Sequence, residues 1–341
     1  MRVVRGVVVA LSLVMGVACG SSPSSPSDPG TTPGSTNGRF QTTGRLVDAF
    51  SGAAIAGIAP TTTETRTMYL GASDASGAFT IGVDTAATSA LPFTFSGPSI
   101  VARQTFFKVP GDAVTVTAIP ASFNLTAFNE MCRLTLSKLT RWTTSPPLVV
   151  KTQTMQYTSI NDSAFTTLND AMSTSEYNGL VADLTWALPQ MTGSQFTGFA
   201  STTRNDGSAG VSVQMLNSGQ ITVGRFVGLN AATGFWGYTR WQYRDDGVVT
   251  AGMIMLDRDF ERSGSPFLRS LRTHELGHAL GYNHVFALDS VMNTSARIEP
   301  NTFDLSATRL AFLRQPGNRA PDIDPSGFSV NNLRYYWTGA R

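Results

Sequence analysis

The chain has 341 residues, enough for about two domains. Charged residues are only 14% of it, where an average soluble protein has about a quarter, and the formal net charge is +2. That balance gives no case for nucleic-acid binding.

Met1-Arg2-Val3-Val4-Arg5 is a basic start, and Val7 to Val17 is an apolar run. Eleven or so residues fall short of the ~20 that span a bilayer, so the pattern predicts an export signal over 1–19. It ends Gly16-Val17-Ala18-Cys19-Gly20, which resembles a bacterial lipobox with Gly16 where leucine is usual. The resemblance implies lipidation at Cys19; the alternative is ordinary signal cleavage near Ala18. Residues 20–38 are almost wholly Ser, Pro, Gly, Thr, Asp and Asn, which cannot bury a core and read as a flexible tether. The expected location is therefore outside the cytoplasm, lipid-anchored to the bacterial outer membrane or cell surface, otherwise secreted. With Cys19 acylated, Cys132 has no partner and stability must come from apolar cores.

Residues 39–120 carry short strand patterns broken by turn signals, which predicts a small all-β sandwich. Strands are expected over 39–48, after Asp74-Ala75-Ser76-Gly77, and over 114–119 before Pro120. The Gly44-to-Asp48 and Asp74-to-Ile81 segments resemble the carboxypeptidase-regulatory-like, transthyretin-like family, which implies spacing, folding support or adhesion for this part.

Residues 121–138 read as an amphipathic connecting helix. Cys132 within it is expected to be a buried thiol, with a metal-blocking latch as the alternative. From 139 to 320 helices alternate with strands. A first strand is expected at 146–150, helices at 161–172 and 176–188, and strands at 209–216, 220–226 and 248–256. A helix capped by Ser265, with Pro266 in its first turn, should follow. Another should run from Asp304 to Leu313 with Asp304 or Ser306 as cap. Asp206-Gly207 and Asp245-Asp246-Gly247 read as turns, since neither has the alternating acidic residues of a calcium loop; calcium is possible but unsupported. Residues 321–341 form a turn-rich tail.

All three histidines fall within His274-Glu275-Leu276-Gly277-His278-Ala279-Leu280-Gly281-Tyr282-Asn283-His284. Of about 6.5 million placements of three histidines, about 330 have this spacing, roughly one in 20,000. On a helix, residues four apart differ by about 40° in direction and about 6 Å in height, so His274 and His278 can reach one ion. Zinc takes imidazole nitrogens at about 2.0–2.1 Å in a tetrahedral set. A left-handed turn at Gly281 would bring His284 back as the third ligand, leaving the fourth position for water. Glu275, about 100° further round the helix, is placed to act as general base.

This stretch resembles the metzincin clan of zinc endopeptidases, over about residues 139 to 315. Ser290-Val291-Met292-Asn293 is similar to the clan's Met-turn, which implies that Met292 lies beneath the metal. The short Met-turn is most similar to matrixin-like sequences, while Val285 and Thr294 follow no single family of the clan. The resemblance implies an α+β metzincin-like zinc protease domain preceded by the small all-β sandwich. It implies one catalytic zinc on His274, His278 and His284, with Glu275 as base, and a peptide or protein substrate laid along a strand edge. A zinc-binding adhesion module, or a zinc hydrolase of a non-peptide amide or ester, are the alternatives. The other expected partner is the membrane, through the lipid anchor; no nucleic acid partner is expected, and the chain should be a monomer.

Overall fold

The computed structural model describes residues 38–133, 137–295, 297–326 and 333–340. All lie in one compact unit, Thr36–Arg341. The export signal, Cys19 and nearly all of the tether lie outside the described residues. The fold is mixed α and β, built on sheets.

The first part holds β1 (Phe40–Asp48), β2 (Met68–Leu70), β3 (Ala78–Val83), β4 (Leu91–Gly97), β5 (Ile100–Phe107) and β6 (Val114–Ala118). Four of them form a sheet in the order β2-β3-β1-β6, and β4 pairs with β5. Leu46, Phe79 and Ile81 of the first sheet share one core with Phe93 and Phe95 of the second. Alternating burial along β1 and β4 explains this, since every second side chain turns inward.

α1 (Leu125–Arg133) follows, shorter than the expected 121–138. Then come β7 (Leu148–Lys151), β8 (Gln153–Gln156), β9 (Ala164–Ala171), α2 (Thr174–Gln190), β10 (Thr202–Asn205), β11 (Ser212–Gln214), β12 (Ile221–Val227) and α3 (Leu229–Thr233). The chain continues with β13 (Gly237–Arg244), β14 (Val249–Asp257), α4 (Arg258–Glu261), α5 (Leu268–Leu280), α6 (Thr302–Phe312) and β15 (Leu333–Ala340). The large sheet runs β11-β9-β8-β12-β14-β13-β15, with β7 beside β12 and β10 beside β7. β12 and β14 are parallel, whereas β13 is antiparallel to both of its neighbours.

β14 is apolar from Ala251 to Leu256 because both of its faces are covered. Ile254 and Leu256 join the core under the helices, while Met253 and Met255 join a second core on the other face with Phe165 and Phe226. α5 lies close against the sheet: a Cβ on Gly252 would come within 3.1 Å of the Ala279 methyl.

Four expectations are corrected, that of a turn-rich tail over 321–341 among them, since it contains β15. Residues 164–171, expected within a helix, form β9: Phe165 and Thr167 turn inward alternately, and the Thr-rich run favours a strand. α5 begins at Leu268 after Phe267, not at Ser265-Pro266. The Ser265 hydroxyl instead accepts from the Phe267 amide at 3.2 Å, closing a turn before the helix. α6 is capped by Asn301, with Asp304 as the reciprocal third-residue partner, so neither Asp304 nor Ser306 is its cap. Residues 333–340, expected within a turn-rich tail, form β15, because pairing along the whole of β13 holds them extended; β13 itself follows no expectation from the sequence.

Candidate metal centre

α5 presents His274 and His278 one turn apart, both fully buried. The helix ends at Gly281, whose φ of +110° and ψ of 13° suit a residue without a side chain. A Cβ there would also lie 2.7 Å from the Thr140 carbonyl oxygen. The chain turns back, and several bonds fix the return. The Thr140 hydroxyl donates to the Gly281 carbonyl at 2.9 Å, and the Tyr282 hydroxyl donates to Met191 O at 2.9 Å. The Asn283 amide donates to Met131 O at 2.7 Å, and the Glu130 carboxylate accepts from the amides of Phe286 and Ala287. α1 thereby braces the loop that carries His284.

The three rings converge. His278 Nε2 lies 2.8 Å from His274 Nε2 and 3.2 Å from His284 Nε2. The three residues form a group whose ligand atoms all lie within 4.8 Å of one another. Two nitrogens bound tetrahedrally to zinc at about 2.0–2.1 Å would be about 3.3–3.4 Å apart, so the two short separations need only small adjustments.

Hydrogen bonding fixes which nitrogens carry protons. His274 Nδ1 faces the Val291 carbonyl at 2.7 Å, and His278 Nδ1 faces the Tyr282 carbonyl at 2.7 Å. A carbonyl only accepts, so both Nδ1 atoms carry the hydrogen and donate. In the neutral rings both Nε2 atoms then present lone pairs, to each other, at 2.8 Å. Burial, reinforced by the neighbouring imidazole, pushes His274 down to about 3; burial pushes His284 down to about 4, and His278 lies well below its ordinary value for the same reason. The rings are therefore neutral at pH 7. Two buried acceptors aimed at one another repel unless a cation stands between them, and neutral imidazole is the form that binds metal. The donor set fits zinc.

Behind the histidines, Val291 and Met292 sit in a tight turn and are buried. A Cβ on Gly277 would lie 2.5 Å from Met292 Sδ, so the methionine packs directly against α5 at this glycine. The Val291 amide donates to Asp304 at 2.9 Å, and Ser290 donates to the same carboxylate. α6 thus holds the carbonyl that orients His274.

Glu275 is fully buried. The Thr239 hydroxyl on β13 donates to Glu275 Oε2 at 2.6 Å. Gly237, two residues earlier, leaves the room: a Cβ there would lie 2.4 Å from Glu275 Oε1. Trp241, on the same strand, stacks parallel to the His278 ring at 6.0 Å between centroids. From β15, Thr338 Oγ1 lies 3.3 Å from each ring nitrogen of His284.

The structure thus brings His274, His278, His284 and Met292 together, with Glu275 on the same helix. Thr239, Gly237, Trp241 and Thr338 were missed. One signal for the first three was present: the Asp245-Asp246-Gly247 turn precedes the strand at 248–256 and implies a hairpin whose first arm is β13. The Asp246 carboxylate accepts from Arg244 and from the Val248 amide, and Asp206 is bonded by Arg204 and Thr152. Cys132 is buried and free. No protein-family model matches the chain, and no curated protein matches it.

Proposed function

We propose that this chain is a zinc-dependent endopeptidase of the metzincin type, with a small sandwich before the catalytic domain. The observation that carries the reading is the 2.8 Å approach of two lone-pair-bearing Nε2 atoms, with a buried carboxylate one residue from His274 on the same helix. His274, His278 and His284 would hold the ion. Zinc when bound supplies a Lewis acid and a water activated near neutral pH. Glu275 would accept the proton from the attacking water and return it to the leaving amine. Thr239, bonded to one carboxylate oxygen, would fix the orientation of that base. Met292 and the Val291 carbonyl would hold His274 in place.

Glu275→Ala should keep the metal and the fold but lower peptide hydrolysis by about 10² or more, the usual size of general acid–base effects. Unchanged hydrolysis with zinc retained would remove Glu275 from the mechanism. A second reading, a zinc-binding module without catalysis, draws support from the burial of Glu275 and its bond to Thr239. It predicts no cleavage of casein or a peptide library by metal-loaded protein. Export and lipidation at Cys19 rest on the N-terminal sequence, and mass spectrometry of the mature N-terminus decides between a lipidated Cys19 and cleavage near Ala18.

A further inference from the structure

β13 has two edges, and both are taken. One pairs with β14. The other pairs antiparallel with β15 along the full strand, from Arg244 opposite Leu333 to Gly237 opposite Ala340. Thr239 and Thr338 stand opposite one another in this register, and opposite residues of an antiparallel pair project from the same face. Thr239 bonds Glu275, and Thr338 touches His284. Leu333–Ala340 therefore crosses the histidine site as an extended chain held by main-chain pairing, the mode by which sheet edges take up peptides.

The next residue adds a steric condition. Gly339 stands opposite Tyr238. A Cβ on Gly339 would lie 2.5 Å from Tyr238 Cδ2 and 3.0 Å from two atoms of the Phe235 ring. Tyr238 is itself buried in the second core with Met253 and Met255, so its ring has little room to yield.

We propose that the outer edge of β13 is a docking surface for an extended peptide that sets a glycine opposite Tyr238, and that Leu333–Ala340 is its resident occupant. The strand is tethered in the same chain, so it competes at a high effective concentration against any peptide arriving from solution. The proposal rests on the peptidase reading only for what happens to an exchanged peptide, which would be substrate. Docking itself depends on the strand edge and on the Tyr238 ring.

The test uses the full chain carrying Gly339→Val. Amide hydrogen exchange along 237–244 should speed up by about tenfold or more as the edge opens, while α5 amides and zinc content stay as in the wild type. A synthetic peptide of the Leu333–Ala340 sequence, added in trans, should restore protection, and the same peptide with the Gly339→Val change should not. Hydrolysis of a glycine-containing peptide by the variant should rise by about tenfold or more over the wild type. Should the valine variant lose α5 protection as well, Gly339→Ala, which adds only the clashing methyl, takes its place with the same readouts. Wild-type exchange along 237–244 in these variants, or equal rescue by both peptides, overturns the proposal. An edge that opens and recloses on the peptide while neither protein hydrolyses anything supports the docking surface and sinks the peptidase reading instead.

Discussion

Between β5, α1 and the loop after α6, three arginines and two aspartates are buried together; around α5, three histidines are. In the first cluster every acceptor meets a donor. Asp322 accepts from Arg103 at 3.1 Å, from Arg314 through both oxygens at 2.7 Å, and from Asn318 at 3.1 Å. Asp324 accepts from Arg103, from Asn318 at 2.9 Å and from Thr105 at 3.0 Å. Arg133 reaches the Pro321 carbonyl and Asn318, and Arg314 reaches Thr117. In the second cluster acceptors face acceptors. Both are buried and polar, yet only the first matches its acceptors with donors of its own. Burial of polar side chains does not by itself mark a ligand site; a mismatch of donors and acceptors does. The arginine–aspartate cluster fastens the first part of the chain to the second, and the histidine cluster is close enough to hold a metal ion.

Asp322 pairs with all three arginines, so its removal should have the largest effect. Asp322→Ala leaves Arg103, Arg133 and Arg314 buried around a missing carboxylate and should cost about 3–5 kcal/mol in denaturant unfolding, the range for breaking a buried ion pair from one side. Zinc content of the folded protein should not change. A loss below about 1 kcal/mol would mean that the cluster does not hold the two parts together.

A smaller effect is expected at α1, which reaches the loop after His284 through Glu130 and the arginine–aspartate cluster through Arg133. Burial holds the Cys132 thiol far above its ordinary value, outweighing the nearby Arg133 charge. The thiolate needed for alkylation or for metal binding is therefore disfavoured through the neutral and mildly alkaline range. Native protein at pH 8 should leave Cys132 unlabelled by iodoacetamide, and denatured protein should label fully. Rapid labelling in the native state would revive the thiol as a metal-blocking latch.

The histidine site was legible because its geometry is local. Two histidines four apart on a helix and a glycine turn need no knowledge of the rest of the fold. The strands of the first part were legible for the same reason, through alternation and turn residues such as Asp74-Ala75-Ser76-Gly77. β13 was not, because Gly237–Arg244 mixes aromatic, arginine and glutamine residues and is buried on both faces, leaving no alternation to read. β9 was misread because its alanines and leucine suit a helix, and its strand state depends on pairing with β8 and β11. The arginine–aspartate cluster joins Arg103 to residues more than two hundred positions away, and no local pattern announces such a pair. Thr239 and Thr338 escaped notice likewise: each is an ordinary threonine until the sheet register sets them opposite one another.

The buried histidines are close enough to hold one cation. Elemental analysis of the purified full chain tests most directly whether they do. About one zinc per chain is expected, lost in His278→Ala because two ligands hold zinc poorly. Zinc near zero in the wild type, not restored by adding zinc, would contradict it.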